Sequence, residues 1–376
     1  MRLITLMLLL PIFAPTCPAC TIFVLTDPKS ALFCNNEDYF NPVTRLWFVP
    51  AGTNYFACAY VGFDNGWAQG GLNSEGLAFD WVAGGNFDYF LDTKLENVRG
   101  NSSQRMLETC ATVEAAIAFY QTYREASFSR ARILVADRTG ASAIIGARNG
   151  VVYAERSNIS RGFGYGNEPL QKALANNPAV TVADGLKILH ACSQGGDGGT
   201  KYSNIFDLKK GEIYVFLPGA QHSIKLNFAE ELAKGPHFYD IPDLARQKQL
   251  SPRPLLQNMR RLPLDAYKTV PDNAPEITAR LRDMLERAGQ APLREQDFAP
   301  GFWKKVNAEQ EALRAQLRSM GKLLSLTRVE TDPGDSPRSH RYRIDFEYAT
   351  VLVGYVLDEN NRIASIVTDD IEQKSR

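Results

Sequence analysis

The sequence has few histidines and no excess of charge of either sign. Its four histidines are scattered, and from residue 20 onward no CxxC pair or cysteine–histidine cluster has metal-ligand spacing. This argues against a zinc site and weakens any cysteine–histidine dyad. Lys and Arg together number 42, as do Asp and Glu, so nothing predicts a nucleic-acid partner. The GxSxG motif of serine hydrolases and the HExxH motif of zinc proteases are also absent.

Long apolar runs are equally scarce. The only one, residues 3–13, follows Arg2 and is too short to span a bilayer comfortably. The small-residue stretch after it ends at Ala19, as in a secretory signal with its cleavage site. We therefore predict a signal peptide over residues 1–19, export to the periplasm or the extracellular space, no stable membrane span, and a mature chain that begins at Cys20.

Three other interpretations of Cys20 stay open, one of which is a disulfide with another cysteine. Cleavage a few residues away would leave it as an ordinary cysteine at the start of a strand. Lipidation would make the product a lipoprotein, although Cys17 stands where such signals carry an aliphatic residue.

An N-terminal cysteine would carry its own base. The thiol is a nucleophile, and the free α-amine beside it has an ordinary pKa of about 7.7–8.0. The mature chain has four further cysteines, Cys34, Cys58, Cys110 and Cys192, which makes an odd total. Up to two disulfides among these four, or four buried thiols, would both leave Cys20 free.

Hydrophobic periodicity predicts mostly strands, with a helix over residues 102–125 that breaks near Thr112. Asn149-Gly150 is a strong hairpin signal between strands at 141–148 and 151–156. Prolines mark a linker near 256–275, and helices at 276–288 and 302–320 precede the last strands. We predict a large α+β domain over 20–255, the linker, and a small α+β accessory domain over 276–376.

Four short motifs in order carry a family resemblance. They are Cys-Thr-Ile-Phe-Val-Leu at 20–25, Asn-Asn-Glu-Asp-Tyr at 35–39, Leu-Asn-Ser-Glu-Gly-Leu-Ala at 72–78 and Tyr-Gly-Asn-Glu-Pro at 165–169. Over residues 20–240 the chain resembles the N-terminal-nucleophile (Ntn) hydrolases of the choloylglycine hydrolase, penicillin V acylase and acid amidase family. The resemblance implies a four-layer αββα sandwich, with a small C-terminal α+β domain after it in this chain, and no metal or organic cofactor.

The resemblance also implies roles for individual residues. Cys20 would be the nucleophile, Asp38 a carboxylate close to it, and Asn167 an oxyanion donor. The bile-salt enzymes carry arginines where this chain has Asn35 and either Ser203 or Asn204, so bile-salt specificity is not supported. The candidate substrate-binding residues are these three positions and Trp81, in a group of aromatic residues comprising Tyr39, Phe40, Trp67, Phe79, Trp81, Phe87 and Tyr89.

These features predict a secreted amidase that hydrolyses the linear C–N amide bond of a small-molecule N-acyl compound through a thioester. Acyl transfer to an amine is the close alternative. A non-catalytic envelope lipoprotein or binding module with a degraded site is the alternative from another class, favoured by the missing arginines. The sequence does not indicate an oligomeric state.

Overall fold

Two antiparallel sheets stack face to face in the computed structural model. The structure describes residues 20–84, 87, 89, 95–96, 98, 100–218, 224–246, 251–256, 259, 268–331 and 336–373. The predicted signal peptide lies outside these residues, as does half of the predicted linker. In the described part, no helix is long and apolar enough to cross a bilayer.

The two sheets take their strands from alternating blocks of the chain. They are β1 (Thr21–Thr26), β2 (Ala31–Asp38), β3 (Thr44–Val49), β4 (Cys58–Phe63), β5 (Ala68–Asn73), β6 (Ala78–Ala83), β7 (Ala131–Ala136), β8 (Ser142–Arg148), β9 (Val151–Ser157), β10 (Arg161–Gly164), β11 (Thr200–Asp207), β12 (Glu212–Phe216), β13 (Ile224–Asn227), β14 (His237–Asp240) and β15 (Arg253–Pro254). The first sheet has the order β10-β1-β2-β11-β12-β13, and the second has the order β15-β14-β3-β4-β5-β6-β7-β8-β9.

Six helices accompany these strands. They are α1 (Ser102–Thr109), α2 (Val113–Thr122), α3 (Asn167–Ala175), α4 (Val182–Ala191), α5 (Phe228–Ala233) and α6 (Ile241–Arg246). The predicted break near Thr112 is confirmed, because the Thr112 side chain caps α2 by accepting a hydrogen bond from the Ala115 amide. The predicted hairpin is confirmed as well: Asn149 and Gly150 both have positive φ, 53° and 77°, as a tight two-residue turn requires.

Successive side chains along each strand point to opposite faces of the sheet, and together with the helices they form three apolar layers. Ile22 and Val24 of β1 point between the sheets, where they share a core with Leu134 of β7. Phe23 and Leu25 point the other way, towards α3 and α4. The outer face of the second sheet packs on α1 and α2 through residues such as Phe79 and Leu107. The order helix, sheet, sheet, helix confirms the predicted αββα sandwich.

The C-terminal region has its own apolar core. It contains α7 (Pro275–Ala288), α8 (Pro300–Ser319) and a four-stranded antiparallel sheet in sequence order, β16 (Leu323–Val329), β17 (Ser339–Phe346), β18 (Ala349–Leu357) and β19 (Ile363–Gln373). Leu281 and Leu285 of α7 pack against strand residues such as Tyr342. The predicted helix-then-sheet composition is confirmed, whereas the exact domain boundaries stay a prediction.

The five described cysteines form no disulfide with one another. They are Cys20, Cys34, Cys58, Cys110 and Cys192, and all of them are buried. The disulfides that the sequence left open among the last four are therefore not formed.

Candidate active site

Hydrogen bonds from both neighbouring strands hold the start of β1 in place. The Cys20 carbonyl accepts a hydrogen bond of 3.1 Å from the Tyr165 amide. The Thr21 hydroxyl donates to the Tyr165 carbonyl in return. On the other side, β1 and β2 pair with Thr21 opposite Asn36, so Cys20 comes opposite Glu37. The position of Cys20 is therefore set by the register of three strands.

Gly164 makes this arrangement possible, and we expect Gly164→Ala to disrupt it. Its φ is +136°, and an added Cβ would lie 2.1 Å from the Cys20 carbonyl oxygen. We expect a loss of roughly 1–3 kcal/mol of stability in a denaturant titration, together with reduced thiol reactivity at Cys20. Gly150→Ala is the matched control, because Gly150 also has positive φ but no atom within 4 Å of an added Cβ. Equal stability and equal Cys20 reactivity in the two variants would contradict a specific role for Gly164.

The Cys20 thiol contacts a buried carboxyl group. Its Sγ donates to Glu37 Oε1 over 3.5 Å, and Glu37 Oε2 accepts from Asn35 Nδ2 over 3.4 Å. Asp80 of β6 shares its strand face with Ala78 and Val82, so it points into the same space between the sheets. Burial raises the pKa of the Cys20 thiol well above its usual value, and the charges of Glu37 and Asp80 raise it further. The thiol is therefore protonated at neutral pH in this environment.

Asp38 lies beside the thiol through its backbone and not through its carboxylate. The Asp38 carbonyl oxygen is 4.0 Å from Cys20 Sγ. Its side chain instead accepts hydrogen bonds from the Thr200 hydroxyl at 2.6 Å and from Gln194 Nε2 at 3.1 Å. Burial raises the pKa of Asp38 to about 6, against the effect of these hydrogen bonds. The side chain that contacts the thiol is that of its neighbour Glu37, and a catalytic role for Asp38 stays a prediction.

Two of the candidate substrate-binding residues lie on the Cys20 face of the first sheet. Asn35 and Asn204 are cross-strand partners, and Asn35 Nδ2 donates to Asn204 Oδ1 over 3.4 Å. Both are buried, and Asn204 Nδ2 has no hydrogen-bond partner in the part of the chain that the structure describes. Two neutral amides, one of them at Asn35 where the resemblance implies arginine, thus join Glu37 in one buried polar cluster.

Ser203 lies on the opposite face of the same sheet. Its hydroxyl donates to Asn36 Oδ1 over 2.6 Å, and Asn36 Nδ2 donates to the Leu189 carbonyl of α4. Adjacent strand residues point to opposite faces, so Ser203 and Asn204 cannot both face Cys20. The structure therefore does not bring Ser203 to the site.

Asn167 is also away from the thiol. It is the first residue of α3 and is exposed, and its side-chain oxygen accepts a hydrogen bond from Gln171 Nε2 over 3.1 Å. The segment before it does reach the site, since Tyr165 bonds to Cys20 and Thr21. The motif at 165–169 thus touches the nucleophile through its first residue, and an oxyanion role for Asn167 stays a prediction.

A cavity of about 970 Å³ opens onto Cys20. Its size suits a small-molecule ligand. Trp81 lies in its wall, where Trp81 Nε1 donates to the Ser103 hydroxyl over 2.8 Å and the indole packs on Phe128. Four of the aromatic residues singled out in the sequence line this cavity, together with Phe63: Tyr39, Phe40, Trp67 and Trp81. Phe79 instead belongs to the outer apolar layer.

Carboxyl groups make up the acidic part of the cavity wall, which includes Glu37, Asp38, Asp64 and Glu125. Even so, among the residues that the structure describes, no three His, Cys, Asp or Glu side chains lie close enough to hold a metal ion.

Glu37 and Asp80 are the site residues that the sequence reasoning missed. Each carries a carboxyl group in the middle of an otherwise buried strand, and a charge in such a run is itself a signal of function. Their meeting across two sheets depends on tertiary packing, which the motifs do not encode.

Comparison with known proteins gives structural matches only. No family model matches the chain, and no curated protein matches it. Penicillin V acylase from Agrobacterium tumefaciens is similar, with 15% identity, a TM-score of 0.46, and coverage of 59% of this chain and 91% of that one. A variant of conjugated bile acid hydrolase from Clostridium perfringens has 12% identity, a TM-score of 0.46, and coverage of 64% and 100%. A mutant of the same hydrolase has 13% identity, a TM-score of 0.41, and coverage of 59% and 95%. These structures come from the enzyme groups whose motifs the sequence resembles.

Proposed function

We propose that this protein is an exported amidase that hydrolyses the linear C–N amide bond of a small N-acyl compound, with Cys20 as an N-terminal nucleophile. The observation that carries the proposal is the position of Cys20. It stands directly after the predicted signal peptide, at the head of β1, and its thiol faces the 970 Å³ cavity. A cysteine exposed by cleavage at that point would present its thiol and its new α-amine to the same substrate space.

The proposed reaction is the attack of the Cys20 thiol on the carbonyl carbon of the amide. The sulfur attacks the acyl carbon, the C–N bond breaks, and the amine leaves with a proton, so that a thioester remains on Cys20. Water then attacks the thioester and releases the acid. The aromatic wall of the cavity, with Tyr39, Trp67 and Trp81, favours an apolar or aromatic acyl group.

The test begins with the full chain expressed in a secreting host. We expect the intact mass and N-terminal sequence of the exported product to give an unmodified chain that starts at Cys20. The product should release the amine from chromogenic N-acyl anilides, tested as a series of aliphatic and aromatic acyl groups. Acid quenching during turnover should trap one acyl group on the N-terminal peptide.

Three results would contradict the proposal. A start at another residue removes the α-amine from the site. A diacylglyceryl adduct on Cys20 identifies a lipoprotein. An unmodified Cys20 chain that turns over no member of the series supports the non-catalytic alternative. Hydroxylamine distinguishes acyl transfer from hydrolysis. At low millimolar hydroxylamine, a transferase would convert most of the acyl group to hydroxamate.

A further inference from the structure

Glu37 is the only carboxyl group hydrogen-bonded to Cys20 Sγ among the described residues, at 3.5 Å from its Oε1. Its second oxygen is held by Asn35 Nδ2, so the carboxyl group is fixed from two directions. The side chain is only 3% exposed, although it lies in the cavity wall beside the nucleophile. A carboxyl group fixed at a thiol in this way has the geometry of a proton acceptor.

The surroundings of Glu37 are polar and acidic. The titratable groups that face it are Cys20 before β1, Asp80 on β6 and Tyr202, its cross-strand partner on β11, and Asp38 adjoins it on β2. Burial, with a smaller contribution from the Asp38 charge, raises the pKa of Glu37 to about 8, against the hydrogen bonds to Asn35 and Cys20 that lower it. Burial, followed by the charge of Glu37, raises the pKa of Asp80 well above its usual value.

We propose that Glu37 is a catalytic residue that moves the proton between the Cys20 sulfur and the substrate nitrogen. This inference rests on the function proposed above. Glu37 Oε1 takes the thiol proton as the sulfur–carbon bond forms and the carbonyl electron pair moves to oxygen. When the tetrahedral intermediate collapses, the C–N bond breaks and Glu37 returns the proton to the leaving amine.

The second half of the cycle uses the same group in the same way. Glu37 takes a proton from water as the water oxygen attacks the thioester carbon. The C–S bond then breaks, and the proton passes to the sulfur, so the thiol and the carboxylate are both restored. Glu37 thus performs the step that the sequence assigns to the α-amine, and it does so from a side chain already bonded to the thiol.

The deciding experiment compares pH profiles of kcat/KM for the mature wild-type protein, Glu37→Gln and Glu37→Asp between pH 5.5 and 10. In the wild type we expect activity to rise with pH with a midpoint near 8, where Glu37 ionises. Glu37→Gln should lower kcat by about 10²- to 10⁴-fold with little change in KM, and should lose the rise. Glu37→Asp keeps the carboxylate and should recover part of kcat and the rise.

Glu108→Gln is the matched control. Glu108 is another buried carboxyl group, and it lies on α1 outside the cavity wall. It accepts hydrogen bonds from Arg105 of the same helix and from Tyr60 of β4. This variant should keep the rise and a kcat within about threefold of wild type, as expected for a change remote from the reacting atoms. The α-amine also titrates near pH 8, so a Glu37→Gln protein that keeps both the rise and kcat would overturn the proposal and leave the amine as the base.

A second measurement needs no substrate. Mass spectrometry measures the rate at which iodoacetamide alkylates Cys20. This rate reports the fraction of Cys20 that is present as thiolate. Removal of the neighbouring negative charge should raise this rate in Glu37→Gln by about tenfold or more at pH 9. Unchanged alkylation would show that Glu37 does not act on the thiol. A wild type that alkylates at Cys20 but hydrolyses no amide would overturn the proposed function and, with it, this catalytic role. An active wild type with an unaffected Glu37→Gln variant would overturn the catalytic role alone.

Discussion

Replacing Cys20 by alanine is expected to lower amide turnover by at least about 10³-fold while the fold stays intact. Without the thiol, the residual rate should be that of a bound amide attacked by water. Cys20 is at the cavity wall and 7% exposed, so loss of its sulfur should cost only about 1 kcal/mol of stability. Ala19 is unchanged in the variant, so signal cleavage should proceed as in the wild type.

Cys34→Ala supplies the matched control for this experiment. Cys34 is a buried free thiol on β2, next to β1, but it points to the outer layer with Leu25 and Leu189. The Cys34→Ala variant should lose about as much stability as Cys20→Ala and should keep its amide turnover. Activity should be measured as amine release from an N-acyl anilide, with circular dichroism on each variant. A Cys20→Ala protein that keeps even a tenth of wild-type turnover would reject Cys20 as the nucleophile.

Patterns confined to a short segment of sequence were enough to predict individual strands, helices and turns, whereas the layered sandwich was implied by the resemblance. The β-branched run after Cys20, the helix break at Thr112 and the Asn149-Gly150 turn are decided by neighbours in sequence, and all three are confirmed. Each depends on backbone sterics or on one capping hydrogen bond, so no knowledge of the tertiary structure is needed.

The candidate site depends on contacts that are distant in sequence, and it was predicted less well. Whether Ser203 or Asn204 faces the thiol depends on the register between β2 and β11, which a single shifted residue would reverse. The motif around Asp38 was placed at the nucleophile correctly, but the side chain that reaches the sulfur belongs to Glu37. Asp80 comes from the other sheet, so only the packing of the two sheets brings it near.

The resemblance implies arginines near the nucleophile, whereas this site has asparagines beside a buried carboxyl group, and this difference changes the pKa of that carboxyl group. Asn35 donates to Glu37 and to Asn204, so it holds the carboxyl group in place without neutralising its charge. With arginine at that position, a salt bridge would keep Glu37 ionised and lower its pKa. The neutral amide leaves the pKa of Glu37 raised, which is the condition for a proton acceptor that works near pH 8.

Glu37→Gln is expected to raise the stability of the protein at alkaline pH, although it removes a hydrogen-bonded side chain. The pKa of Glu37 is about 8 in the folded protein against an ordinary value of 4.5. Between these pH values the folded chain holds a proton that the unfolded chain has lost, so the contribution of Glu37 to stability is complete below about pH 4.5 and is lost as the pH rises through 8. Asp38 adds a smaller change of the same sign, since its pKa rises from 3.8 to about 6.

Glutamine cannot ionise, so the variant should escape the Glu37 part of this loss. We expect equal or slightly lower stability than wild type at pH 5, and a free energy of unfolding higher by a few kcal/mol at pH 9, measured by urea titration of the mature proteins. Comparing the two proteins at each pH cancels the titration of groups that they share. Glu108→Gln should instead lose stability at both pH values, because it breaks the ion pair with Arg105. Parallel stability curves for wild type and Glu37→Gln from pH 5 to 9 would mean that Glu37 is ionised in the folded protein throughout, and would remove the basis for its titration near pH 8.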